Sequence, residues 1–247
     1  GIVWDSEAAS EYEECRVKTA VLGRKRPSFD LLESLLWTPQ DGYFLLDRHL
    51  ARLADSAVYF GFEMSRTAVR QRLLAFARNL TAPSKVRLTL AKTGAVRVTA
   101  EDLATEGTEI AEKKNLGNLC GSLKVDLARE PVDAGNLFLY HKTTFREMYA
   151  AARDGRPECG EVILWNERGE ITEATTANVV VELDGRLWTP PVDSGLLAGT
   201  LRAQLLADGQ IGERIITLDE FRRAARLWLI NSVRGWRRAV TTVAVGG

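Results

Sequence analysis

Lys142 stands in Tyr140-His141-Lys142-Thr143-Thr144, at the end of the apolar-aromatic run Leu137-Phe138-Leu139-Tyr140, where its ammonium meets a desolvated environment. Burial disfavours the charged form, lowers the pKa and turns a lysine into a nucleophilic amine. A surface lysine at a helix start is the other reading of the same residues, because fully buried lysine is rare. Glu173 sits among small hydroxyl and alanine residues between Glu170 and Asn178, which leave room for a planar ligand and offer donors; an exposed turn glutamate is the alternative. Ser194-Gly195-Leu196-Leu197-Ala198-Gly199-Thr200-Leu201-Arg202 brings glycine-rich chain into a helix, so its backbone N–H groups at the positive end of the dipole suit a phosphate. A plain helix start with glycine at its cap is the other reading, since glycine is common at turns and caps. Arg52 follows His49 by three residues on one helical face, so both point at a common anion or both at solvent.

These groups need elements to hold them. A mostly apolar stretch from Phe29 to Trp37, a turn at Thr38–Gly42 and a short strand Tyr43–Leu46 predict a hairpin or meander. Asp47 is then expected to cap a helix with Leu50, Leu53, Ala54 and Ala57 on one face, and a second helix runs from Arg66 to Leu80. Lys85–Leu90 alternates strictly and Val96–Val98 alternates back after the turn Lys92-Thr93-Gly94, which makes a hairpin with one wet face. Further strands are expected at Ser122–Val125, Glu161–Trp165, Thr176–Glu182, Leu187–Trp188 and Arg226–Ile230, with helices after Lys142, at Gly199–Ala207 and at Leu218–Ala225. Strands cluster without a regular strand-helix rhythm, so the fold class is α+β. The polar, proline-terminated Gly23–Pro27 marks a boundary near residue 25. The expected division is 1–24, then a small lobe over 25–115 and a larger lobe over 116–247.

Composition removes several classes of function. The 247 residues carry 33 Lys+Arg against 33 Asp+Glu, so no net field steers the chain onto nucleic acid or anionic lipid. With 45% hydrophobic and 27% charged residues it is neither disordered nor fibrous. Cys15, Cys120 and Cys159 are odd in number and far apart, with no zinc or redox spacing, so no metal is expected. No window approaches a membrane span and no leader is visible, so the expected setting is reducing and cytoplasmic.

Six pieces in order resemble the fold-type IV pyridoxal-phosphate enzymes, the group of branched-chain and D-amino acid aminotransferases and aminodeoxychorismate lyases. They are Phe29–Ser34, His49–Ala57, His141–Thr144, Thr172-Glu173-Ala174 through Asn178, Thr189-Pro190-Pro191, and Gly195–Arg202. The resemblance spans about Ser28 to Val240 and implies a two-lobed fold with the active site between the lobes, pyridoxal 5'-phosphate as cofactor, and a homodimer. It further implies that Lys142 carries the cofactor covalently and that Glu173 pairs with the pyridine nitrogen, keeping the ring a good electron sink. Arg52 would neutralise the phosphate, and Thr200 and Leu201 would give it backbone N–H groups. Asn231-Ser232 resembles a second phosphate-side loop, and Asn178 a position near the cofactor.

The opening segment, Gly1–Ser6 followed by Glu11–Glu14 and Lys18, resembles the last motif of chorismate-binding synthases. The chain then looks like the tail of an aminodeoxychorismate synthase joined to an aminodeoxychorismate lyase, which splits 4-amino-4-deoxychorismate into p-aminobenzoate and pyruvate in folate synthesis. Ser34 stands where the lyases carry a threonine hydroxyl; without the β-methyl its rotamer is less fixed, and a solvent-facing strand serine is the other reading. The Arg-Gly-Phe-rich stretch of stand-alone lyases is missing before Phe29. Two substrate carboxylates call for arginine, with Arg146, Arg234 and Arg24 as candidates, although Arg202 and Arg234 are equally readable as structural. An aminotransferase with the same Lys142 and Glu173, and a non-catalytic scaffold fragment of the synthase, are the rival readings.

Overall fold

Alternation along β1 (Leu31–Thr38) decides what each of its side chains meets. Leu31, Glu33, Leu35 and Trp37 share one face, and Leu32, Ser34 and Leu36 the other. The computed structural model describes residues 27–103 and 122–241. The expected boundaries at 24/25 and 115/116, the synthase-like opening segment, Cys15, Arg24 and Cys120 lie outside the described residues.

β1 pairs antiparallel with the short β2 (Gly42–Tyr43) and, from Leu31 to Trp37, with β3 (Ser84–Leu90), which pairs in turn with β4 (Val96–Asp102). The order is β2-β1-β3-β4. Helices α1 (Leu46–Phe60) and α2 (Arg66–Ala77) cover the Leu31 face, packing Leu50, Leu53, Ala57, Val69 and Leu73 onto Leu35, Val86 and Leu88. Ser34 lies opposite Arg87 in the register, so both project from the face that the helices leave open.

Three expectations fail here. The strand expected at Tyr43–Leu46 stops at Tyr43, and the residue capping α1 is Leu45, not Asp47. Phe44 and Leu45 pack against Val180, Leu201 and Ile230 of the other lobe. Burial of two large side chains outweighs a side-chain cap and holds Leu45 at φ 54. Asp47, inside the first turn, meets Arg66 and Arg70 instead. The second helix ends at Ala77 rather than Leu80, because Pro83 and the start of β3 require extended chain.

The second sheet follows the order β10-β9-β8-β11-β12-β5-β6-β7. Its strands are β5 (Leu123–Leu127), β6 (Glu161–Trp165), β7 (Ile171–Ala174), β8 (Ala177–Leu183), β9 (Arg186–Thr189), β10 (Gly212–Glu213), β11 (Arg226–Asn231) and β12 (Gly235–Thr241). β7 also pairs with β8, so six strands close on themselves around Val125, Ile163, Ile171, Val179, Val181 and Leu229. Helices α3 (Glu147–Asp154), α4 (Thr200–Ala207) and α5 (Leu218–Arg223) complete the lobe; Thr217 and Glu220 cap α5 reciprocally. Helices and mixed sheets together make the α+β class. No helix among the described residues is long and apolar enough to cross a membrane.

The start of the small sheet is hydrogen-bonded to the segment that carries Lys142. Leu32 N–H donates to the carbonyl of Lys142 (2.9 Å), Thr144 N–H donates to that of Asp30 (2.9 Å), and Asp30 N–H donates to Thr144 Oγ1 (2.9 Å). The segment carrying Lys142 is thereby an extension of the small sheet's ladder.

Candidate active site

A cavity of about 460 Å³ opens between the two sheets. Leu32, Ser34, Lys85 and Arg87 line it from the small sheet, and Glu161, Glu173 to Asn178, and Ile230 to Arg234 from the closed one. Lys142, Glu173, Ser34, Arg52, Asn178, Thr200, Asn231 and Ser232, widely separated in the chain, all border this one space. Leu201 is absent from the lining: its side chain is buried in the core with Val180 and Trp228, which leaves only its main-chain N–H facing the helix start.

Lys142 follows a single helical turn, Leu137–Leu139, rather than starting a helix. Phe138 packs on Phe29 and Phe145, and His141 is held by Ser56 Oγ (3.0 Å) and by the rings of Tyr59 and Phe60. With its neighbours pinned, Lys142 is half-buried at the cavity wall. Loss of hydration and the nearby Arg52 charge lower its amine to about 8, against the opposing pull of Glu33 and Glu173.

Glu173 is no exposed turn residue. It lies on β7, a strand that its Thr- and Ala-rich sequence did not announce, and only 4% of it is exposed. Burial raises its carboxyl to about 7, although Tyr149 Oη donates to Oε1 (2.7 Å) and Leu197 N–H also favours the charged form. The same burial, and the Glu173 charge, push the Tyr149 phenol far above its usual value. Arg146 lies over the Tyr149 ring at 4.1 Å and donates to the carbonyl of Thr175 (2.5 Å).

The common anion of His49 and Arg52 is a residue of the chain itself. Arg52 donates through Nε to Glu33 Oε1 (2.9 Å) and through Nη2 to Oε2 (2.6 Å), while Nη1 donates to the carbonyl of Ala198 (3.0 Å). His49 Nδ1 meets Glu33 Oε2 at 2.8 Å and Nε2 meets Thr200 Oγ1 at 3.2 Å. Burial alone would raise Glu33, but the charges and hydrogen bonds of Arg52 and His49 win and bring it down to about 2. The usual value is 4.5, so the group stabilises the fold fully above pH 4.5 and loses that contribution as pH falls toward 2. The contribution is about 3 kcal/mol. Glu33→Gln is therefore expected to melt well below the wild-type chain at pH 6, with the gap closing toward pH 2; calorimetry across that range checks it, and a constant gap would refute it.

At α4 the cap residue Gly199 offers no side chain, and the first N–H groups of the helix face the cavity end near Thr200. A Cβ on Gly199 would lie 1.9 Å from Asn178 Oδ1, so any larger residue there would have to displace the Asn178 amide. Asn178 Nδ2 donates to the carbonyl of Leu197 (2.9 Å), which fixes the turn into α4. Asn231 does similar work: its Oδ1 accepts from Val233 N–H (3.1 Å) and Arg234 N–H (2.8 Å), shaping the β11–β12 turn that brings Ser232 to the cavity. Of the arginines read as ambiguous, Arg202 is structural, buried with Nη2 donating to Pro190 O and Glu213. Arg234 lines the cavity.

Sequence reasoning missed Glu33, Tyr149, Glu161, Arg87 and Arg153. Glu33 had a signal, since alternation puts it on the buried face of Leu31 and Leu35. Glu161 accepts hydrogen bonds from the Thr175 and Thr176 hydroxyls in the β7–β8 turn and pairs with Arg237 of β12 (3.5 Å), contacts that no local pattern announces.

The sequence signature of the family described as Amino-transferase class IV matches residues 30–241. A protein of Schizosaccharomyces pombe named "Putative aminodeoxychorismate lyase" is 29% identical over 212 residues, 83% of this chain and 86% of that one. The crystal structure of a "Putative amino-acid aminotransferase" from Mesorhizobium loti superposes with a TM-score of 0.77 at 35% identity, over 87% of this chain and all of the other. A "Putative 4-amino-4-deoxychorismate lyase" structure from Legionella pneumophila shares the fold, with a TM-score of 0.73 at 18% identity over 90% of each chain. The family is pyridoxal-phosphate dependent, and an enzyme cavity joining a lysine amine to a buried carboxyl accords with it. With 212 of its residues under the family signature, this chain belongs to the class IV aminotransferases.

Proposed function

We propose that the chain is a pyridoxal-phosphate-dependent lyase that converts 4-amino-4-deoxychorismate to p-aminobenzoate and pyruvate. The observation that carries the reading is the charge of the cavity wall. Arg52, Lys85, Arg87, Lys142, Arg146, Arg153, Arg234 and Arg237 line it against only Glu161 and Glu173 among the acids. Arg52, Lys85 and Arg237 already have carboxylate partners in Glu33, Glu101 and Glu161. Arg87 and Arg153 are exposed and have no ion-pair partner among the described residues. Such a wall suits a substrate with two carboxylates better than an aliphatic amino acid. The fission-yeast relative supports the same choice.

The donor set fits the cofactor. Arg52 keeps N–H groups beyond the three it has committed, and these with the start of α4 suit a phosphate. Arg237 Nε, buried and lacking a hydrogen-bond partner among the described residues, adds a donor to the same wall. When bound, the cofactor supplies a carbonyl that condenses with amines and a ring that draws electron density from the adjacent carbon. Lys142 would hold that carbonyl through Nζ, and as a free amine at the cavity wall it would be the base that takes the proton from the substrate carbon bearing the nitrogen. With its amine near pH 8, Lys142 gives up and regains a proton at neutral pH. Glu173, near 7 and steered by Tyr149, would hold a proton at the ring nitrogen. Ser34, beside Arg87, would pass a proton to the departing enolpyruvyl carbon through its hydroxyl, which recovers one from solvent in the cavity. Arg87 and Arg153 take the carboxylates.

A class IV aminotransferase acting through the same lysine is the second reading, favoured by the Mesorhizobium relative. Incubating the purified chain with 4-amino-4-deoxychorismate, and separately with an amino acid and a keto acid, decides between them. Pyruvate release outpacing amino transfer is expected, and the reverse order would overturn the lyase. Arg87→Ala and Arg153→Ala should each raise KM for the substrate about tenfold with kcat little changed, the loss of one charge-assisted hydrogen bond. Steady-state kinetics checks this; unchanged KM in both would remove the carboxylate assignment.

A further inference from the structure

Thr200 Oγ1, His49 and Glu33 form a buried line running from the cavity wall into the small lobe, with exposures of 5%, 1% and 2%. Glu33 stays ionised and can only accept, so Nδ1 of His49 must carry the hydrogen of the 2.8 Å contact. In neutral His49 the other nitrogen is then an acceptor, and the 3.2 Å contact takes its hydrogen from the Thr200 hydroxyl. Thr200 is left showing only lone pairs to the cavity, which repel an anion. Adding a proton to Nε2 reverses that bond: His49 donates to Oγ1, and the Thr200 hydrogen turns outward.

We infer that Glu33 and His49 are positioning residues for the anion end of the cavity, and that a phosphate-type ligand binds there with uptake of one proton at His49 Nε2, freeing the Thr200 hydroxyl to donate to it. The inference rests on the reading of the cavity as a cofactor site. Every charged group that faces His49 fits it. Arg52, on the same helix, and Lys142, from the joining segment, oppose protonation, while Glu33 on β1 favours it. Together with burial, the two cations keep the imidazole below its ordinary value before the ligand arrives. Glu33 and Arg52 offset each other at His49, so an arriving dianion supplies the missing reason for His49 to charge. The proton comes from solvent, and no electrons move.

The test is calorimetric titration of the cofactor-stripped full chain with pyridoxal 5'-phosphate at pH 7.5, in buffers of different ionisation enthalpy. Pyridoxal is the control: it reacts with the same amine but lacks the phosphate. The expected result is more proton uptake with pyridoxal 5'-phosphate than with pyridoxal. His49→Gln and Thr200→Val should both abolish that excess and weaken binding of the phosphorylated compound about tenfold. Thr200→Ser, which restores the hydroxyl, should restore the excess and also guards against a His49 variant that folds poorly. The two losses should not add in the double variant. Tight binding with the same excess uptake in Thr200→Val overturns the relay while leaving the cofactor site intact. Failure of the wild-type chain to bind pyridoxal 5'-phosphate more tightly than pyridoxal overturns the reading of the cavity and the relay with it.

Discussion

Lys142→Ala is expected to leave the chain folded but unable to retain pyridoxal 5'-phosphate through borohydride reduction, with pyruvate release lowered at least about a thousandfold. The size follows from two losses in one substitution, the covalent attachment point and the base, since a positioned base alone contributes about 10² to 10⁴. Mass spectrometry of the reduced protein reads the first loss and a coupled pyruvate assay the second. Cofactor fixed at another residue in the variant would show that Lys142 was the wrong amine. Lys142→Arg should behave like the alanine variant, because a guanidinium stays protonated and cannot form the bond.

Glu173→Gln carries the second large effect, and its sign differs between activity and stability. The carboxyl titrates near 7 in the folded chain against 4.5 ordinarily, so folding binds a proton in that interval and stability falls as pH rises through it. Above pH 7 the buried charge costs about 3 kcal/mol, and below pH 4.5 it costs nothing. The cofactor-free variant should therefore melt about 5 to 10 °C above wild type at pH 8 and alongside it at pH 4. Turnover should drop about a hundredfold, the usual cost of removing a preorganised electrostatic group. Scanning calorimetry at the two pH values with the pyruvate assay checks both halves. A variant less stable than wild type at pH 8 would mean that Glu173 meets a partner strong enough to welcome its charge.

What could be read from the chain divides by the range of the interaction. The elements bearing Lys142, Arg52 and Thr200 follow from local features: an aromatic run, a helical spacing of three, a glycine-led helix start. Gly199 is legible as a cap, but its close approach to Asn178 is not, because the two are 21 residues apart and meet only where the helix start packs on β8. Glu33 was half legible, for alternation buries it and nothing local names Arg52 and His49 as its partners. Asp47 was misread because a good cap residue lost to the packing of Phe44 and Leu45 on the opposite lobe. The short β7 escaped notice since four residues of mixed polarity have too little period to register, yet closure of the barrel depends on it. The sequence offers Arg146, Arg234 and Arg24 as carboxylate partners, whereas the cavity wall also presents Arg87 and Arg153, which only the strand register and α3 bring into view.

The rung shared by Asp30–Leu32 and Lys142–Thr144 has a mechanical consequence. The aim of the Lys142 amine is geared to the smaller sheet, so shear of that sheet against the barrel would swing the amine before either lobe melts. Heating would silence such a protein in advance of its denaturation, and the gearing makes inactivity the earliest symptom of damage far from the reacting atoms.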